Sequence, residues 1–220
     1  MTPNSLFRGR KLFVLLGDVV SSRLITNRVA FNEKLKETSQ EVNAYRQSLY
    51  ADFRILKGLD EFGCVLTTIT DSYTIITTIF ERLYPNFARF ALVYDYIDTG
   101  LDIRDVSLMD GPAFHKASKM LFTLKKSKLL FDMAVQDDVL DASIAGLINL
   151  ILLTKKNWTE RQLQIAKEYK KKKLQSEIAE ALGISQQAVS KTLSRSMWGE
   201  IASIEERLGY IFEQYGERLE

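Results

Sequence analysis

The chain opens with a strongly apolar run, "KLFVLLGDVVSSR", from Lys11 to Arg23. A continuous apolar run is the pattern of a strand covered on both faces, at the centre of a sheet. It ends at Gly17-Asp18, so an acid stands at the strand's carboxyl end. Thr26 and Asn27 supply caps for a helix. Phe31, Leu35, Val42, Tyr45 and Leu49 then recur at spacings of three, four or seven, as one core-facing stripe. Two short strands, "DFRIL" and "EFGCVLTTI", flank Lys57 to Asp60 as a hairpin. Asp71 and Ser72 cap a second helix, Tyr73 to Leu83, which Pro85 breaks, and "ARFALVYDYI" (Ala88 to Ile97) alternates as a further strand. The order β-α-β-β-α-β suits a split βαβ, ferredoxin-like sheet with helices packed on one face.

Beyond this point "DGPAFHKASKML" places Pro112 in the first turn of another helix, and "KLLFDM" (Lys128 to Met133) adds one more strand. From Asp137 to Lys156 runs a strongly apolar helix. Apolar on nearly every side, it is expected to lie buried between domains or in a dimer, with Ile144, Leu147, Ile148 and Ile151 as the contact residues.

The most specific pattern is "NWTERQLQIAKEYKKKKLQSEIAEALGISQQAVSKTLSRSMW", from Asn157 to Trp198. Thr159 and Gln162 form a T-x-x-Q capping box that opens a helix. Ile178, Ala179 and Leu182 mark a second helix, Gly183 turns the chain, Ile184 plugs the core and Ser185 caps a third helix. Val189 and Leu193 bring that third helix back onto the core. Ala179 must be small where two helices cross, Gly183 must adopt positive φ, and Val189 must fill the gap between them. These are the requirements of a helix-turn-helix. Left facing outward are Gln186, Gln187, Ser190, Lys191, Ser194 and Arg195, beside the cap Ser185. Gln pairs bidentately with adenine, while Ser, Lys and Arg suit phosphates and guanine. Lys171 and Lys172, within the run Lys170 to Lys173, are placed to meet the backbone of double-stranded DNA. Leu174 stands where such modules often carry a capping Thr.

Charge supports the pattern. The net charge is +2, yet Lys155 to Trp198 holds ten Lys and Arg against four Asp and Glu, so the remainder of the chain is acidic. A basic block in a near-neutral chain is the electrostatic footprint of a nucleic-acid module. One cysteine, Cys64, and one histidine, His115, exclude a disulfide and a Cys/His zinc cluster, and leave a Ser-His-Asp triad nothing but His115 to rest on. Cys64 lies in an apolar run and reads as a buried packing residue; His115 reads as a helix-surface or cap residue. The longest apolar stretch, Ile144 to Leu153, is well short of the ~20 residues that a membrane span requires. No leader is expected before Asp18 and Arg23, and the chain reads as cytoplasmic.

"GDVVSSR" near the start, an acidic hairpin "LKGLDEFG", "DGPAFHKA" and the helix-turn-helix pattern together resemble the SatD family of bacterial proteins, over nearly the whole chain. More distantly, the front half is similar to the palm-type domain of class III nucleotidyl cyclases and GGDEF-type diguanylate cyclases. That resemblance implies a metal site, with Asp18 in the place of the strand-one acid and Asp60 and Glu61 in the place of the hairpin acids. Mg²⁺ takes one or two carboxylates plus phosphate oxygens, and strands ~4.8 Å apart would let these acids share a cation with a nucleotide. The chain departs from the cyclase pattern. Leu59 stands where a glycine would let the backbone approach a phosphate, and Ala91, Val93 and Asp95 replace glycines in the strand from Ala88 to Ile97. Arg23 and Lys57 are the basic residues that the sequence places near a triphosphate.

The expected architecture is α+β: a ferredoxin-like, palm-type βαββαβ sheet domain over 1–135, an apolar linker helix over 136–156, and an all-α helix-turn-helix domain with a C-terminal helix over 157–220. The expected function is a transcriptional regulator that binds double-stranded DNA as a homodimer, because operators are commonly two-fold. No membrane contact and no certain cofactor are expected. Three readings of the front domain stand: a structural or dimerising scaffold, a sensor holding a nucleotide with Mg²⁺, and a Mg²⁺-dependent nucleotidyl-transferring enzyme. The departures from the cyclase pattern point away from turnover.

Overall fold

A computed structural model of the chain describes residues 9–58, 60–171 and 173–219. The apolar run near the start forms β1 (Arg10–Val19) at the centre of the sheet. After it come α1 (Arg28–Val42), β2 (Leu49–Lys57), β3 (Glu61–Leu66), α2 (Ser72–Leu83) and β4 (Ala88–Ile97). β1 pairs antiparallel with β3 on one side and β4 on the other, and β2 pairs antiparallel with β3. α3 (Pro112–Lys125) and β5 (Phe131–Ala134) follow, and β5 joins β4 in parallel, for a strand order β2-β3-β1-β4-β5.

Alternation along β1 divides the core. Phe13 and Leu15 face a large cluster shared with Phe31 and Leu35 of α1 and with Ile75, Ile76 and Ile79 of α2. Leu12, Val14 and Leu16 face a second cluster closed by Ala113, Ala117, Leu121 and Leu124 of α3. α1 and α2, the two helices of the βαββαβ order, thus share one face of the sheet, and α3 covers the opposite face. That is why β1 carries no polar alternation from Leu12 to Leu16.

Two helix boundaries also differ from expectation, for local reasons. α1 stops at Val42, so Tyr45 lies in the connecting loop and Leu49 begins β2. Asn43 ends the helix by pairing with the strand backbone: its Oδ1 accepts from Phe53 N at 2.7 Å and its Nδ2 donates to Phe53 O at 3.3 Å. A side-chain amide thus satisfies an edge-strand peptide. Asp71 occupies the N-cap position of α2 without making a cap hydrogen bond, because its carboxylate accepts from Ser48 Oγ instead. Asn27, by contrast, caps α1 as expected, accepting from Ala30 N at 3.0 Å.

α4 (Asp138–Lys156) packs on β5 with one face, not all round. Ile144, Ile148 and Ile151 are buried in the large core cluster, so of the four residues expected at a dimer contact only Leu147 reaches the surface. Asn149, also inward, accepts from Leu130 N and Phe131 N and donates to Phe131 O and Ala145 O, so its amide ties α4 to the start of β5.

The tail comprises α5 (Glu160–Lys170), α6 (Gln175–Leu182), α7 (Gln186–Arg195) and α8 (Trp198–Glu217). α5, α6 and α7 enclose a small core of Ile165, Ile178, Ala179, Val189 and Leu193. α8 returns to the sheet half and buries Ile201, Leu208, Phe212 and Tyr215 in the large cluster. Tyr215 donates its hydroxyl proton to Asp141 Oδ1 at 3.0 Å, and Phe212 stacks on Tyr73 with ring centroids 6.3 Å apart. No helix among the described residues is long and apolar enough to cross a membrane.

Candidate functional site

Two regions hold the residues singled out from the sequence. The first is the carboxyl end of β1. Gly17 is required there because any Cβ would overlap the ring of Phe62 on β3. That close packing sets Asp18 opposite Glu61 on one side and Arg89 on the other. Asp18 is buried, and both its oxygens are engaged by cations: Arg89 Nη1 lies 3.3 Å from Oδ2 and Lys125 Nζ 2.8 Å from Oδ1. Lys125, from the last turn of α3, also stands 4.0 Å from Glu61 Oε1. Asp60 contributes its backbone, accepting from Val19 N at 2.7 Å. Arg23 and Lys57 are exposed and form no ion pair among the described residues. Leu59 lies outside the described residues.

Asp18 and Glu61 thus face each other across β1 and β3, around two cations that the sequence pattern did not point to. Arg keeps its proton throughout the accessible pH range, so the Asp18 carboxylate is already neutralised by a permanent charge. Among the described residues no group of three or more His, Cys, Asp or Glu side chains is placed to hold a metal ion. Arg89 could have been found by aligning the two ten-residue strands end to end, since antiparallel pairing then sets it against Asp18. Lys125 has no such local signal. His115 is exposed on α3 at 3.5 Å from Asp110 Oδ1, and Cys64 is fully buried.

The second region is the three-helix unit of the tail. The capping box at α5 is formed as expected: Thr159 Oγ1 accepts from Gln162 N, and Gln162 Oε1 accepts from Thr159 N. Leu174 is the N-cap of α6, and its N–H donates to Glu177 Oε2 at 2.8 Å, so a glutamate three residues on supplies half of the missing cap. Gly183 ends α6 at φ 62°, a left-handed conformation that glycine adopts at little cost. Ile184 N then donates to Ala179 O at 3.0 Å, and Ser185 Oγ caps α7 by accepting from Ala188 N at 3.2 Å.

Val189 and Leu193 anchor one side of α7 in the small core. Ser185, Gln186, Gln187, Ser190, Lys191, Ser194 and Arg195 are all exposed. Gln187, Ser190, Lys191 and Ser194 stand at i, i+3, i+4 and i+7 of α7, so they share a single face. Lys171 is exposed but pairs with Glu168 at 2.9 Å, and Lys173 pairs with the same carboxylate. Hydrogen bonds from Lys173 and Lys171 pull the Glu168 carboxyl down to about 2. Lys172 lies outside the described residues.

Among solved structures, a bacterial light-regulated adenylyl cyclase is similar to this chain with a TM-score of 0.40 and 13% identity, over 60% of this chain and 44% of that one. The chain spans less than half the length of that cyclase. No curated protein matches it. A family model described as the SatD family matches residues 12–199. That match covers most of the sequence, and the chain belongs to the SatD family.

Proposed function

We propose that this protein is a DNA-binding transcriptional regulator whose sheet domain acts as a non-catalytic scaffold. The observation that carries the reading is the outer face of α7, where Gln187, Ser190, Lys191 and Ser194 stand exposed in one row above a helix pinned by Val189 and Leu193. In this reading α6 and α7 are a helix-turn-helix. α7 enters the major groove with Gln186 and Gln187 at its leading end, and Lys191 and Arg195 meet guanine edges or phosphates. Lys171 lies beside the groove. Two copies read a two-fold operator.

The antiparallel order β2-β3-β1-β4, with α1 and α2 as crossovers, supports a ferredoxin-like, palm-type identity for the sheet. The pairing of Asp18 with Arg89 and Lys125 favours a scaffold over a metal-dependent transferase, since Mg²⁺ needs free carboxylate oxygens. The front domain extends through α4, and α5 to α7 form the reading unit.

Selection of binding sequences from a random duplex pool with the full chain, followed by fluorescence anisotropy, tests the proposal. The expected result is affinity falling steeply between about 50 and 200 mM salt. Gln187→Ala should alter preference at one position by about 1–3 kcal/mol, and Lys191→Ala should flatten the salt slope. Weak, salt-indifferent binding without a preferred sequence would refute it.

A further inference from the structure

A cavity of about 340 Å³ lies where the tail meets the sheet half, with Glu81 of α2 and Lys155 of α4 on one side and residues of α5 and α8 on the other. Its polar groups divide into a closed set and an open set. Lys155 Nζ binds Glu81 Oε1 at 3.1 Å and Glu205 Oε1 at 2.7 Å, and Tyr73 donates to the same Glu205 oxygen at 2.8 Å. That cluster satisfies itself and carries one excess negative charge. The open set is Lys167 and Lys170, one turn apart on α5. Lys167 Nζ donates to a backbone oxygen, that of Glu81 at 3.1 Å, and neither lysine forms an ion pair among the described residues. Burial pushes the Lys167 ammonium below the ordinary lysine range, so it stands partly desolvated beside the cavity. With both lysines counted, the lining carries an excess of one positive charge.

The apolar lining joins Trp158 and Trp198 with Leu163 and Ile201, and both indoles are held in place. Trp158 is held by its Nε1–H, which donates to Ser196 O at 3.0 Å. Trp198 is held by an edge contact with Tyr169 at 4.7 Å between ring centroids. Ala166 and Ala202 are the small residues that leave the space open. The volume sits at the lower end of the range for small-molecule sites, roughly 300–1,000 Å³. It admits one or two fused rings and not a nucleoside triphosphate.

We propose that this cavity is a binding site for a small aromatic carboxylate, its ring between the two tryptophans and its carboxylate on Lys167 and Lys170. The excess single positive charge selects a monoanion over a neutral or cationic ring. The small alanines and the indole faces select a planar group over a branched aliphatic one. Such a ligand touches the sheet half and the tail at once, and its binding stands whether or not α7 reads DNA.

The test uses three probes of matched shape and different charge: phenylacetate, phenylacetamide and 2-phenylethylamine, titrated into the full chain by isothermal calorimetry. Phenylacetate should bind once per chain with a dissociation constant of about 1 mM or tighter, the reach of a ligand this small. Phenylacetamide should bind about tenfold more weakly and the amine not measurably, because a charge-assisted hydrogen bond is lost or replaced by repulsion. Lys167→Gln should weaken phenylacetate about tenfold and leave phenylacetamide unchanged. Ala202→Leu should abolish binding of both by filling the cavity, with circular dichroism confirming that each variant is folded. Equal affinity for all three probes, an unchanged phenylacetate affinity in Lys167→Gln or Ala202→Leu, or no heat with any probe would overturn the assignment.

Discussion

Lys155 offers the sharpest test of how the two halves of the molecule are held together. It is 4% exposed and lies between Glu81 and Glu205, whose side chains are 16% and 20% exposed. Burial alone would lower its pKa, but the two carboxylates together outweigh that and raise it above the ordinary lysine range. The group therefore contributes its stability in full below the unfolded lysine value of about 10.4 and loses it only as pH climbs through the higher folded value. Lys155→Ala removes the ammonium and leaves two facing carboxylates largely out of water. Breaking a buried ion pair from one side costs about 3–5 kcal/mol. For a chain of this size that corresponds to a fall in Tm of about 6–20 °C. Urea denaturation of wild type and variant at about pH 7 measures the cost. Adding Glu81→Gln and Glu205→Gln to Lys155→Met should recover most of the loss, because a neutral replacement of a buried pair is often close to neutral in stability. A cost under about 1 kcal/mol, or no recovery in the triple variant, would show that the cluster is not a buried, mutually dependent set.

Three further outcomes are expected. Asp18→Asn should destabilise the fold by about 3 kcal/mol, because it leaves Arg89, whose buried Nε already lacks a partner among the described residues, without its carboxylate; Mg²⁺ should leave the wild-type Tm unchanged, and a Mg²⁺-dependent rise lost in Asp18→Asn would restore the metal-site reading. Under the DNA-binding proposal, Glu168→Gln should free Lys171 and Lys173, raise DNA affinity at low salt and steepen the dependence of log affinity on log salt by about 1–2, read by anisotropy. Burial, helped by Asp52, pushes the Cys64 thiol up to about 12, so at about pH 8 it should react with a disulfide reagent only as fast as the protein opens. The stability from that protonated thiol is complete below its unfolded value of about 8.5 and is lost as pH rises toward the folded one.

What the sequence determined by itself is what depends on near neighbours. The box at Thr159 and Gln162, the caps at Asn27 and Ser185, and the turn at Gly183 join groups three or four residues apart, so local spacing specified them. The unbroken apolar stretch Leu12 to Leu16 announced a central strand, since every side chain on it needs an apolar partner whichever way it points. The pairings of Asn43 with β2 and Asn149 with β5 escaped that logic, because a polar residue on a helix shows no sign of the strand edge that it will satisfy. Tertiary structure alone decided the chemistry at Asp18. Its carboxylate meets Arg89, 71 residues away, and Lys125, further still, through the register of β1 with β4 and the placing of α3 across the second face of the sheet. The cavity beside Lys155 arises in the same manner, from α8 folding back to set Trp198 and Glu205 against α2 and α4. Ion pairs and cavities are properties of packed surfaces, and periodicity along one element says which face is buried but not what it is buried against.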